Sequence, residues 1–131
     1  MITISKQIDY ALQFLIALSE LKKGETLSLR KFSKESNISF LFLQRIARSL
    51  KKAKIIDAGR GVHGGYFLLR EPKKITVLEL LEAVEGPFGV VSCIKGNKKH
   101  CDRMKVCTAR KLFNKINEEL EEILSKTYIL S

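Results

Sequence analysis

A glycine-dense heptad, Gly59-Arg60-Gly61-Val62-His63-Gly64-Gly65, limits the folds open to this chain. It lies between Ile55-Ile56-Asp57-Ala58 and Tyr66-Phe67-Leu68-Leu69, two short stretches rich in β-branched and aromatic residues. Such stretches on either side of a glycine turn read as a hairpin. Four glycines in seven residues also invite a phosphate-cradle reading. That reading fails on context, because no lysine–serine or lysine–threonine pair ends the run and no helix follows it. What remains is a flexible hairpin tip carrying Arg60 and His63, the shape of a wing.

Three helices are expected before this hairpin. Residues 5–22 place Ile8, Leu12, Leu15, Ile16 and Leu18 on one broad helical stripe, and Gly24 stops it. Ser28 is positioned to cap a second helix, Leu29 to Ser36, which buries Leu29 and Phe32. Asn37-Ile38-Ser39 is a tight turn, with Ile38 plugging the corner and Ser39 capping the next helix. That third helix, about Phe40 to Ala53, buries Phe40, Leu43, Ile46, Ala47 and Leu50. Gln44, Arg45, Arg48, Lys51 and Lys52 point elsewhere, as on the recognition helix of a helix-turn-helix. After the hairpin, Pro72 breaks the chain and Thr76 caps a helix to Glu85. Thr108 is expected to cap a last helix reaching about Leu130, with Leu112, Ile116, Leu120, Ile123, Thr127 and Leu130 as its seam. A seam this long needs a partner surface, and a symmetric homodimer is the simplest one. The alternative is a helix folded back on its own domain. The fold class expected is mainly α: a winged helix-turn-helix DNA-binding domain with a long C-terminal dimerisation helix. The divisions are 1–86 for DNA binding, 87–107 for a cysteine-bearing loop and 108–131 for dimerisation.

Charge supports a polyanion partner. The chain carries a net +10, yet residues 30–74 hold twelve Lys/Arg against three Asp/Glu, while residues 1–29 and 75–131 are nearly neutral. Neutralising phosphates with such a block releases condensed counterions. A membrane surface or a merely solvated face would use the same charge. No apolar run is long enough to span a bilayer, and no secretory leader pattern opens the chain, so a cytoplasmic protein is expected.

In that reducing compartment cysteines point to metal or redox chemistry rather than to a disulfide scaffold. All three, Cys93, Cys101 and Cys107, fall in one polar segment. Thiolates gathered in this way suit a soft metal or an iron–sulfur cluster. A structural zinc site from Cys93, His100, Cys101 and Cys107 is a second reading. A thiol switch, with Lys95, Lys98, Lys99 and Arg103 lowering thiol pKa, is a third. An enzyme is disfavoured, since His63 and His100 are the only histidines and no nucleophile–base pair stands out.

Together these residues resemble the winged-helix repressor family of the iron–sulfur cluster regulator IscR and the nitric-oxide sensor NsrR. The resemblance rests on Asp9-Tyr10-Ala11-Leu12, on Ile38-Ser39 with Leu43 and Leu50, and on Arg60-Gly61 followed by Gly64-Gly65-Tyr66. Glu82-Ala83-Val84-Glu85 and the three cysteines before a long helix complete it. It implies a homodimer on pseudo-palindromic promoter DNA, with an iron–sulfur cluster of the 2Fe-2S or 4Fe-4S type. It makes Gln44 and Arg45 base-reading candidates and Arg60 the minor-groove residue. Arginine suits guanine, glutamine suits adenine, and arginine in a narrow minor groove reads shape. Arg48, Lys51 and Lys52 are candidates for phosphates, with Ser39 and His63 completing the DNA-facing set. Two features depart from the family. The first cysteine gap has seven residues where five are usual, while the second keeps five. Arg110 stands where the IscR-like branch has a ligand histidine. The nitric-oxide-sensing branch instead uses an aspartate on the partner's first helix. Asp9 matches that position and is the favoured fourth ligand, with His100 as its rival.

Overall fold

The structure, a computed structural model, describes residues 3–59, 64–91, 93–94 and 106–130. It is mainly helical, with a small two-stranded sheet. Helix α1 (Lys6–Ser19) opens where the Ser5 hydroxyl accepts a hydrogen bond from the Ile8 N–H at 3.3 Å. It ends before residue 22 because its last turn tightens. The Glu20 and Leu21 N–H groups bond three residues back, to Ala17 and Leu18. Helix α2 (Leu29–Ser36) has the expected bounds, with the Ser28 hydroxyl accepting from the Lys31 N–H at 3.0 Å. Asn37 takes the left-handed conformation, φ 60°, and Ile38 is buried behind it.

Helix α3 (Phe40–Lys52) follows, and here Ser39 departs from expectation. Ser39 holds the N-cap position, but its hydroxyl makes no capping bond. Its backbone lies at φ −53°, ψ 131°, whereas the capping Ser5, Ser28 and Thr76 lie at ψ 146–160°. The first turn starts instead on the backbone bond from the Leu43 N–H to the Ser39 carbonyl.

Strands β1 (Ile56–Ala58) and β2 (Tyr66–Leu68) pair antiparallel, Ile56 against Leu68 and Ala58 against Tyr66. Leu27 adds one bridge to Tyr66 through two backbone hydrogen bonds, of 2.8 and 3.0 Å. The core gathers Phe14 and Leu15 of α1, Leu43, Ile46 and Leu50 of α3, Ile55, Ile56, Ile75 and Leu80. Phe14 sits edge-on to Tyr66 and tilted against Phe32, so one aromatic side chain joins wing base, α1 and α2.

Helix α4 (Val77–Glu85) begins with a reciprocal capping box between Thr76 and Glu79. Arg70 pairs with Glu79 at 3.1 Å. Partial burial works against the Glu79 charge. The Thr76 N–H and the Arg70 guanidinium outweigh it and hold the carboxyl below its ordinary value of 4.5. A carboxyl depressed in the folded state contributes its stability above the unfolded pKa and loses it as pH falls below. Glu79→Gln is therefore expected to be less stable than wild type at neutral pH, with the gap closing below 4.5. Urea midpoints at neutral and acid pH check this, and a gap that ignores pH would refute it.

Helix α5 (Arg110–Lys126) is shorter than expected at both ends. Ala109 rather than Thr108 occupies its N-cap, without a side-chain bond. At the other end Thr127 turns extended and Tyr128 bridges Thr76. The Thr127 carbonyl accepts from the Val77 N–H at 2.7 Å, and the Ile129 N–H donates to Ile75. Val77 begins α4, so its N–H has no partner within that helix. Satisfying that donor and burying Ile129 take the place of four further residues of helix. No helix among the described residues is long and apolar enough to cross a membrane.

Candidate nucleic-acid interface and cysteine segment

The outer face of α3 is cationic because its inner face is spent on the core. Leu43, Ile46, Ala47 and Leu50 are buried, which leaves Gln44, Arg45, Arg48, Lys51 and Lys52 exposed between them. Two contacts orient the first turn. The Arg30 guanidinium lies 4.4 Å from the centroid of the Phe40 ring, and Phe42 meets Tyr10 edge-on at 5.4 Å. They tie α3 to α2 and α1 respectively. Arg30 was not among the residues singled out in the sequence. Its partner is ten positions away on another helix, a spacing that carries no local signal. Lys51 lies 4.0 Å from Asp57 on β1, so part of its charge is met within the protein. Ser39 is exposed at the start of the same face.

The wing residues Arg60 and His63 lie outside the described residues. The wing base is described, and the Gly59 N–H donates to the Gly65 carbonyl at 2.7 Å. Lys22, Lys23, Lys31 and Arg70 line a groove beside that base. Glu25 and Glu71 line the same groove, so its charge is mixed.

Of the cysteine set, Cys93 and Cys107 are free thiols and half-buried, while Cys101 and His100 lie outside the described residues. Among the described residues no group of three or more His, Cys, Asp or Glu side chains gathers as a metal site. Asp9 is exposed on the first turn of α1 and accepts from the Gln13 amide at 3.0 Å. The limb leading to Cys93 is anchored by Asn117, a buried polar residue of α5. Its side-chain oxygen accepts from the Val90 N–H at 2.9 Å. Asn117 too was missed in the sequence, where it looks like one more polar residue beside Glu118 and Glu119. Leu112 and Ile123, three turns apart on α5, are 59% and 61% exposed, whereas Ile116 and Leu120 between them are half-buried.

The Rrf2 family model, described as an iron-dependent transcriptional regulator, matches residues 4–131. The chain belongs to the Rrf2 family. Among its Rrf2-type relatives is the transcriptional regulator NsrR of Bacillus licheniformis, 26% identical over 123 residues, which are 94% of this chain and 86% of that one. The IscR regulator of Cereibacter sphaeroides is 38% identical over 84 residues, 63% of this chain and 54% of its own. Among solved structures, CymR, the global cysteine regulator of B. subtilis, superposes with a TM-score of 0.74 at 27% identity, covering 98% of this chain and 94% of that one. The winged-helix class and the resemblance to the IscR and NsrR family are thus correct. This Rrf2 protein is a DNA-binding transcription regulator and not an enzyme.

Proposed function

We propose that the protein is a homodimeric, sequence-specific regulator of promoter DNA, a repressor, acting in the cytoplasm. Its DNA affinity is set by an iron–sulfur cluster, 2Fe-2S or 4Fe-4S, held by Cys93, Cys101 and Cys107. Residues 1–86 read DNA, 87–107 carry the sensor and 108–131 pair the subunits. The observation that carries this reading is the placement of two free, half-buried thiols, Cys93 and Cys107, on the segment between α4 and α5. Thiols that are neither paired nor sealed in the core are the soft donors that hold an iron–sulfur cluster. Asp9 of the partner subunit is the proposed fourth ligand. Among the described residues its carboxylate is hydrogen-bonded by a neutral glutamine, Gln13, and it is exposed.

A bound cluster supplies reactivity toward nitric oxide or oxidants. The chain's own residues supply the coupling. Asn117 ties the limb before Cys93 to α5, and the Thr127 and Ile129 bonds tie the end of α5 to the start of α4. Helix α4 in turn packs against α1 and α3. A change at the thiols therefore bears on the angle of α3. The exposed Leu112 and Ile123 offer an apolar edge for a second copy of the chain, which would set the spacing between two reading helices.

A second reading keeps the regulator but replaces the cluster with zinc, or with thiol redox chemistry alone. The likeness to CymR, the global cysteine regulator of B. subtilis, supports it. One experiment separates the two: purification without oxygen, a visible spectrum, and iron, sulfide and zinc analysis. Promoter-duplex binding is then compared before and after cluster removal at fixed salt. Brown protein with iron and sulfide, and a DNA affinity that changes on removal, is the expected result. Colourless protein that stays metal-free after anaerobic reconstitution, or equal affinities, would overturn cluster control. Asp9→Ala and His100→Ala then assign the fourth ligand.

A further inference from the structure

We propose that Leu41 is a specificity-determining residue of the reading helix, recognising the 5-methyl group of a thymine in the major groove. Leu41 is the second residue of α3 and is 73% exposed. Every other large apolar residue of that helix turns inward, and Leu43, Ile46 and Leu50 are all but sealed. Leu41 instead precedes Gln44, Arg45 and Arg48 by three, four and seven residues, the spacing of one helical face. It therefore shares the cationic surface rather than the core. Its neighbours are fixed: Phe40 lies under Arg30, and Phe42 lies against Tyr10. The first turn of α3 thus has little freedom to roll Leu41 inward.

Charge complementarity says what covers this leucine. Arg45, Arg48, Lys51 and Lys52 draw the same face onto a duplex, and the N-terminal residues of a recognition helix are the ones that reach base edges. Leucine has no donor or acceptor, so it cannot read a hydrogen-bond pattern. The apolar group on a major-groove edge is the thymine methyl. Against cytosine or guanine the same side chain would strip water from polar atoms and return no hydrogen bond. Leu41 thereby selects for thymine and against a G·C pair at one position of each half-site.

The test uses the full-length protein, purified without oxygen, to select sites from a random duplex pool. Each thymine of the selected site is then replaced by deoxyuridine, which removes only the methyl group. Wild type is expected to bind about fourfold more weakly when one particular thymine is changed. Leu41→Ala should lose that methyl dependence while keeping the salt dependence of binding, since its phosphate contacts are intact. The variant position is exposed, so folding is not at risk. If no thymine methyl matters, or if Leu41→Ala keeps the full methyl dependence, the assignment fails while sequence-specific binding stands. If no sequence is selected at all, the reading face itself is wrong, and the proposed function falls with it.

Discussion

Gly65→Ala is expected to destabilise the protein by about 3 kcal/mol or more, the upper range for forcing volume into a filled space. A Cβ on Gly65 would stand 2.7 Å from the Leu27 carbonyl carbon, 2.8 Å from its oxygen and 3.0 Å from the Ser28 nitrogen. All three are backbone atoms, so no rotamer change relieves the clash. The Leu27 carbonyl is also engaged, accepting from the Tyr66 N–H at 2.8 Å. Moving it would break the bridge that ties the α1–α2 connection to the wing. Gly59→Ala is the control. Its Cβ would meet a flexible side chain, the Thr26 methyl, at 3.1 Å. Urea unfolding should show a large fall in midpoint for Gly65→Ala, a small one for Gly59→Ala and similar slopes for both. Equal losses would mean that the close approach at Gly65 is not what the position demands. Promoter binding by Gly65→Ala should weaken as well, because the wing base is part of what the substitution displaces.

The second large effect is on DNA. Arg45→Ala is expected to weaken binding to the preferred site by about 10- to 100-fold and to relax base preference at one position, as for loss of a bidentate arginine–guanine contact. Among the described residues no ion pair holds Arg45, whereas Lys51 already faces Asp57. Lys52→Ala should behave differently. It should weaken all sequences alike and reduce the slope of log affinity against log salt by about 0.9, the signature of one phosphate contact. Titrations of preferred and scrambled duplexes over a salt series distinguish the roles. If Arg45→Ala weakened both duplexes equally and lowered the salt slope by that amount, Arg45 would be a phosphate contact and not a base reader.

Much of the reading face was legible because helices advertise themselves locally. Leu43, Ile46, Ala47 and Leu50 recur at helical spacing, so the residues between them had to be the wet side. Ser28 and Thr76 cap as their residue types suggest, and Asn37 takes the left-handed turn that asparagine tolerates. Ser39 shows the limit of that reasoning. Residue type made it a cap, and it holds the N-cap position, but its hydroxyl makes no capping bond. Leu41 was passed over for a related reason. Within the apolar run Phe40-Leu41-Phe42-Leu43 the sequence does not mark which side chain faces outward.

The far end of α5 shows the same limit more plainly. Thr127 and Leu130 continue a helical apolar repeat, and the repeat alone extends the helix to the end of the chain. The chain leaves the helix because Val77, fifty residues earlier, has an N–H to satisfy, and because Ile129 can be buried beside Ile75. The apolar residues of α5 likewise looked like one seam. Packing on α4 divides them into half-buried Ile116 and Leu120 and exposed Leu112 and Ile123.

By itself, then, the sequence determined what short-range physics controls: helix faces, the caps at Ser28 and Thr76, the hairpin and the concentration of charge in one third of the chain. The tertiary structure alone decided which glycine admits no side chain, where α5 stops, how Asn117 holds the limb before Cys93, and which leucine faces outward. Each of these depends on atoms that are distant along the chain and adjacent in space. A period of 3.6 or 2 residues records which way a side chain points on its own element. It carries no record of what stands opposite.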